Sequence, residues 1–280
     1  MTMKTRIVAV AAACVVALAV APARATDLQV PAPGASKRID DIKQRGMLRV
    51  GALGEFPWLK ENVSGEGEPF AGPGWQLAQD YARRLGVKLV VVPVSHETKV
   101  PILASGQVDM TIAPLAVTPQ REKVVDFIVY SSSALCLFGL KSDAKLHGVT
   151  DINALNTPDI TIAYFTGTPP ETWLPERLPK AKLRGVPGSG ANVPVDEILS
   201  HRADVAPIDN VAWPDLSKKV PGLAVFPPGD ACLQSKEMAT PVGLAIDKNQ
   251  PAFLAWLRAV QQEDEPQLQQ TELRLMKGAE

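Results

Sequence analysis

Twice along this chain, short apolar runs alternate with segments of helical period, and that rhythm limits the fold more than any composition figure. In the first series, residues 48–53 read as a strand. Leu77, Ala78, Tyr81, Ala82 and Leu85 then repeat at helical spacing within 75–85, and Gly86 ends that helix. Residues 87–94 form a continuous apolar run, the kind of strand buried on both faces. A helix over 97–105, ended by Gly106, and a strand over 108–113 complete the series. The second series repeats it. A strand over 160–165 precedes a helix over 171–178 and a short strand over 183–186. A helix capped by Asn192 follows, with Val195, Ile198 and Leu199 inward, then a strand over 203–208 that stops at Asp209. Such alternation in both halves predicts two α/β units with parallel-rich sheets. Residues 129–137 and 226–241 would carry the chain into the second unit and back. Two final helices, 252–262 and 267–276, would return to the first. A short helix capped by Ser36, with Ile39 and Ile42 inward and Gly46 as its stop, precedes the first strand.

The first 25 residues read as an export signal rather than fold. Lys4 and Arg6 precede a 15-residue apolar run, 7–21, too short for a comfortable membrane span, and Ala23-Arg24-Ala25 fits the small-x-small cleavage rule. Cleavage before Thr26 predicts an exported mature protein in an oxidising compartment. It also removes Lys4, Arg6 and Arg24, which leaves 26 Lys plus Arg against 30 Asp plus Glu, a net charge near −4. That balance argues against nucleic acid or an anionic membrane as partner. Cys14 leaves with the signal. Cys136 and Cys232 remain, either as one disulfide or as two buried thiols. His96, His147 and His201 are scattered, and no Cys-x-x-Cys or His-x-x-x-His occurs, so neither a metal nor a cofactor is expected.

Chemistry gathers where the strands end. In LASGQVDMTIAPLAVTPQREKVVDF, residues 103–127, Thr118 is a good N-cap and Pro119 suits the first helical position. Arg121 then falls at the third, where the helix dipole disfavours a cation. Either Arg121 is a solvated surface residue, or an anion sits beside it, shared with the open backbone N–H groups. The other strand ends carry Glu55, Phe56 and Trp58, then His96, then Gly167 and Thr168, then Asp209. Ligands of open α/β sheets bind beyond the carboxyl ends of strands. This set suits a small zwitterion or carboxylate between two lobes.

The ordered motifs resemble one family. Leu48-Arg49-Val50-Gly51, Phe56-Pro57, Leu103-x-Ser105-Gly106-x-x-Asp109, Thr118-Pro119-Gln120-Arg121-Glu122, Asp126-Phe127, Gly167-Thr168 and Arg202-Ala203-Asp204 fall in the order found in bacterial periplasmic solute-binding proteins of the polar amino-acid type, family 3. The resemblance implies an α/β, two-lobed, periplasmic-binding-protein-like II fold, the Venus flytrap. Each lobe would be a mixed sheet flanked by helices, with two crossovers at the hinge. Residues 36–131 plus 238–280 would form the first lobe and 132–237 the second.

What the resemblance implies for function is a receptor of an ABC importer, with the periplasm as its compartment. It would be a monomer that captures an amino acid or related small carboxylate by hinge closure and delivers it to a membrane permease. Arg121 would clasp the ligand carboxylate, with Thr118 of the same turn as a further ligand-binding residue. Asp209 would take the amino group or cap the helix after it. Phe56 would stack on the ligand or pack in the core. His96 would line the pocket and Thr168 would offer its hydroxyl or N–H. Glu55 and Trp58 would lie near the mouth. The chain departs from the family at Ala116, where a small hydroxyl residue usually stands, and at Pro169, which has no N–H to give. The same scaffold resembles periplasmic cyclohexadienyl (arogenate/prephenate) dehydratases around residues 192–209. Those enzymes carry a Glu three residues beyond the strand-end Asp, where this chain has Ala212.

Overall fold

A computed structural model describes residues 28–188 and 193–278. The predicted export signal and the Asn192 cap lie outside the described residues. Helix α1 (Lys37–Arg45) starts where the Ser36 hydroxyl accepts the Ile39 N–H, and Gly46 ends it at positive φ. Strand β1 (Met47–Ala52) follows. A small antiparallel pair, β2 (Lys60–Glu61) and β3 (Phe70–Ala71), leads into helix α2 (Pro73–Leu85) and strand β4 (Lys88–Pro93). Then come α3 (Pro101–Ala104), β5 (Met110–Ala116), α4 (Pro119–Glu122) and β6 (Val125–Ser133). The second half runs β7 (Leu135–Leu140), β8 (Thr161–Phe165), α5 (Pro170–Arg177), β9 (Lys182–Val186), α6 (Val193–Leu199), β10 (Val205–Asp209), α7 (Trp213–Lys219), β11 (Leu223–Phe226) and α8 (Asp230–Leu233). Strand β12 (Thr240–Asp247) and helix α9 (Pro251–Lys277) close the chain.

The strands make two five-stranded mixed sheets, β4-β1-β5-β12-β6 and β11-β7-β10-β8-β9. The chain leaves the first sheet from β6 into β7 and returns from β11 to β12, so the two expected crossings are present. In the first sheet β1, β4 and β5 are parallel while β12 runs against both β5 and β6. The second is built alike, with β8 parallel to β9 and β10, and β7 against β10 and β11. Each lobe also pins the start of a strand with one buried or half-buried carboxylate. Asp109 accepts the Arg49 N–H at 2.9 Å and ion-pairs with Arg45 and Arg49. Asp204 accepts the Thr161 N–H at 2.7 Å and pairs with Lys145. Backbone donors and cations together compensate the desolvation of each carboxylate.

Several elements differ from the sequence reading. The apolar run 87–94 is not buried on both faces. It is an edge strand with β1 as its one neighbour, and Val90 is 36% exposed. The helix expected over 97–105 shrinks to α3, because Ser95 and Thr98 tie residues 95–98 into a turn and Pro101 takes the first helical position. Leu199, expected inward, is 48% exposed on the last turn of α6. The two final helices are one, since α9 runs through Pro266. Phe253, Leu257, Val260 and Leu268 keep one face of it in the first lobe's core across that proline. Tertiary packing there outweighs the lost N–H. Among the described residues no helix is long and apolar enough to cross a membrane.

Cys136 on β7 and Cys232 on α8 form a disulfide that closes 96 residues of chain. Its sulfurs are buried against Val225, Ile208 and Trp213. A crosslink over so long a loop removes freedom mainly from the unfolded chain and is worth about 2–4 kcal/mol. The double variant Cys136→Ala, Cys232→Ala should therefore unfold roughly 5–15 °C earlier in calorimetry. An unchanged melting temperature would show that the bridge contributes nothing to folding stability.

Candidate functional site

The cleft between the sheets has a volume of about 300 Å³ and is walled by residues at the strand ends that face it. From the first lobe come the turn after β1, the turn after β4 and the β5–α4 turn. From the second come the β8–α5 turn, the end of β10, and α6 and α7. Of the residues singled out by sequence, Arg121, Asp209, Phe56, His96, Thr168, Glu55, Trp58 and Ala116 all line it. Thr118 does not line it. Its hydroxyl accepts the Arg121 N–H at 3.3 Å and so caps α4, which sets where the arginine projects.

Arg121 reaches across the seam between the lobes. One amino group donates to the Ala116 carbonyl at 2.9 Å, on its own lobe, and the other to the Gly167 carbonyl at 3.3 Å, on the opposite lobe. No carboxylate among the described residues pairs with it. Burial pulls its pKa down, and Glu55 only partly opposes that. It is a desolvated cation held by neutral acceptors, not a solvated surface side chain.

Asp209 ends β10 and accepts the Ser133 hydroxyl at 2.8 Å. It does not cap the next helix, which starts after Ala212 without a side-chain cap. Burial first, then the Glu55 charge, pushes its pKa up to about 6, while Ser133 and Lys99 work the other way. His96 is 8% exposed and its ring lies 4.1 Å from that of Phe165, across the cleft. Burial takes its pKa down to about 4, so it is neutral at pH 7. Its Nδ1 stands 3.8 Å from Glu55 and has no hydrogen-bond partner.

Glu55 lines the cleft. It is held by a two-bond backbone turn with Leu59 and pairs with Lys99 at 2.6 Å. Lys99 is 3% exposed, and its ammonium also donates to the Pro114 carbonyl at 2.9 Å. Phe56 remains half-buried at the rim, with the Lys219 ammonium of the other lobe 5.8 Å from its ring centre. Trp58 is a core residue that offers only an edge of wall. It is 2% exposed, and its indole N–H is shared between Ser131 and Glu272. The Thr168 hydroxyl donates to the Phe165 carbonyl and is used within its own turn.

Sequence reasoning missed Lys99, Ser133 and a contact between the lobes at Glu97. That carboxylate accepts the Ser95 hydroxyl at 2.7 Å on its own lobe and the Thr166 hydroxyl at 2.6 Å on the other. These two bonds bring its pKa down to about 2. Beside it, Gly167 has φ +76° and lies so close that an added Cβ would meet the Glu97 Cα at 3.0 Å. Only glycine fits that approach without displacing backbone. No motif marks Lys99 or Ser133. The one available signal is that Ser133 sits at a strand end on the crossing segment.

Asp209 predicts a measurable pH effect. Its folded-state pKa lies above the ordinary value of 3.8, so its contribution is fully favourable below pH 4 and is lost as pH rises through about 6. Asp209→Asn keeps an acceptor for Ser133 but carries no charge. In urea unfolding it should be more stable than the parent by about 2 kcal/mol at pH 7.5, with no gain at pH 4. An equal difference at both pH values would mean that Asp209 is ordinarily solvated.

The comparisons with known proteins bear on the family and the fold. The model of the bacterial extracellular solute-binding proteins, family 3, matches residues 48–270. Among curated relatives, the membrane-bound lytic murein transglycosylase F of Aeromonas hydrophila is 36% identical over 94 residues. That is 33% of this chain but only 18% of the relative's length. Among solved structures, the ancestral amino acid-binding protein AncCDT-1, described as a precursor of cyclohexadienyl dehydratase, superposes with a TM-score of 0.70 at 28% identity. The match covers 86% of this chain and 98% of that one. An amino acid ABC transporter substrate-binding protein from Streptococcus pneumoniae, bound to L-arginine, gives a TM-score of 0.72 at 26% identity, covering 86% and 97%. Two mixed sheets, two crossings and a cleft walled from both sides fit that match along most of its length: the chain belongs to the bacterial extracellular solute-binding proteins, family 3.

Proposed function

We propose that the protein is an exported, monomeric receptor that traps an amino acid or related small carboxylate by hinge closure and hands it to the permease of an ABC importer. In this reading residues 1–25 are the export signal and the periplasm is the working compartment. Residues 36–131 plus 238–280 form one lobe and 132–237 the other. The observation that carries the proposal is Arg121, a desolvated guanidinium at the seam with two carbonyls and, among the described residues, no carboxylate as partners. A ligand carboxylate supplies the missing charge and touches both lobes at once, so it favours the closed form by differential binding. Asp209, with the Ser133 hydroxyl fixing one oxygen, takes an ammonium group. Relatives described as amino-acid receptors, one of them bound to L-arginine, support the same ligand class.

A catalytic reading draws support from the 28% identity to a protein described as a precursor of cyclohexadienyl dehydratase, and from the 94-residue match to a lytic murein transglycosylase. Dehydration requires an acid placed to protonate the leaving hydroxyl. Ala212 lines the cleft at the position where the resemblance puts that acid, and its methyl group has no proton to give. We therefore favour capture over turnover. Incubation with prephenate or arogenate, followed by product absorbance, separates the two.

Micromolar binding corresponds to about 8 kcal/mol, within reach of one desolvated ion pair on each side of a zwitterion plus apolar contact. A thermal-shift panel of amino acids and small carboxylates should raise the melting temperature for at least one compound. Arg121→Ala should weaken that compound 30-fold or more; an undiminished shift removes Arg121 from the site. An ammonium beside Asp209 would also return its pKa toward the ordinary value. Binding of an amino acid at pH 5.5 should thus release a fraction of a proton, and none at pH 8, by calorimetry in buffers of different ionisation enthalpy. A ligand lacking the amine would release none at either pH.

A further inference from the structure

The cleft's charges divide into those already satisfied within the protein and those left for a ligand. Glu55 is bound to Lys99 at 2.6 Å, and Lys99 has the Pro114 carbonyl as its second partner. Asp215 and Lys219, four residues apart on α7, pair at 2.7 Å. His96 is neutral at pH 7. What remains is Arg121 and Asp209, one charge of each sign, and in the receptor reading the carboxylate and amine of the ligand's head group use both. The wall beyond them is apolar. In the second lobe it is made by Val195 of α6, Leu216 of α7, Phe138 of β7 and Ile208 of β10, a niche between α6 and α7, with Tyr164 and Pro194 also lining the cleft. Phe138 and Val195 belong to one buried cluster, against which Ile208 and Leu216 pack. The niche is therefore a continuation of the lobe's own core.

We infer that the ligand's side chain is apolar, branched-aliphatic or aromatic, and seats in this α6–α7 niche, so that the receptor selects against amino acids with charged or amide side chains. The inference rests on the receptor reading above and narrows it. A guanidinium or carboxylate tail placed there gives up its hydration against proline, phenylalanine, valine and leucine. The other charged residues that line the cleft, Glu55, Lys99, Asp215 and Lys219, are already engaged in their own pairs. An aliphatic or aromatic tail buries its surface without such a loss.

The test is a ranking by calorimetry with L-phenylalanine and L-leucine against L-arginine, L-glutamine and L-glutamate. At least one of the first two should bind tenfold or more tighter than every one of the other three. Leu216→Glu, which sets a carboxylate in the niche, should weaken the apolar ligand tenfold or more and narrow its lead over L-arginine. If that variant does not fold, the parent's ranking decides alone. Arginine, glutamine or glutamate binding as tightly as the apolar pair, with the affinity lost in Arg121→Ala, overturns this inference and leaves the receptor reading standing. No binding by any member of the panel or by their 2-oxo acid counterparts overturns both.

Discussion

One guanidinium, that of Arg121, ties the molecule's two halves at the place where they meet. Its position follows from local rules. Thr118 caps a four-residue helix, Pro119 opens it, and the third residue is thereby turned toward the seam. Its energetic situation follows from burial. A partly buried guanidinium given, among the described residues, only carbonyl acceptors is under-compensated, because neutral acceptors offset less of the lost hydration than a carboxylate does. The protein tolerates that deficit in the middle of its cleft, where an anion arriving from solvent can remove it. The internal pairs Glu55–Lys99 and Asp215–Lys219 show that the chain neutralises other charges of the same cleft with its own residues.

The architecture delivers these groups by a simple geometric rule. In both sheets the parallel strands point their carboxyl ends at the other lobe, so the turns after β1, β4, β5, β8 and β10 all face one gap. Strand β6 runs in the same sense as β5, since both are antiparallel to β12, and Ser133 therefore arrives at the gap as well. This is why residues as far apart in sequence as Ser133 and Asp209 are within a hydrogen bond of each other.

That rule also explains which features could be read from the sequence. The strand–helix rhythm, the Ser36 and Thr118 caps, the glycine stops at 46 and 86 and the two crossings depend on near neighbours and on period, and the structure has them all. The cleft residues at strand ends were legible for the same reason. The misses come from longer-range causes. An apolar run does not reveal whether its strand is central or at an edge, so 87–94 was misplaced. Pro266 signals a break that the core packing of α9 overrides. Lys99 carries no signal in the sequence, because its partners Glu55 and the Pro114 carbonyl lie 44 and 15 residues away. Trp58 reads as a mouth residue, although its indole N–H is engaged in the core by Ser131 and Glu272.

The balance between lobes is set by a few polar contacts against a constrained hinge. The two crossing segments are joined to each other, with Leu135 N–H donating to the Glu237 carbonyl, the Ser235 hydroxyl to the Leu135 carbonyl, and the Asn210 side chain bonded to both Ala134 and Leu233. Opening about these segments would separate the contacts that bridge the lobes: Glu97 from Thr166, Arg121 from the Gly167 carbonyl, His96 from Phe165, and Lys219 from Phe56. Each of these is worth on the order of 1 kcal/mol in partly exposed surroundings, so together they hold the lobes only modestly. A ligand that adds an ion pair and apolar burial in the closed form alone contributes a comparable or larger amount. Differential binding of a small solute is then sufficient to decide which form is populated.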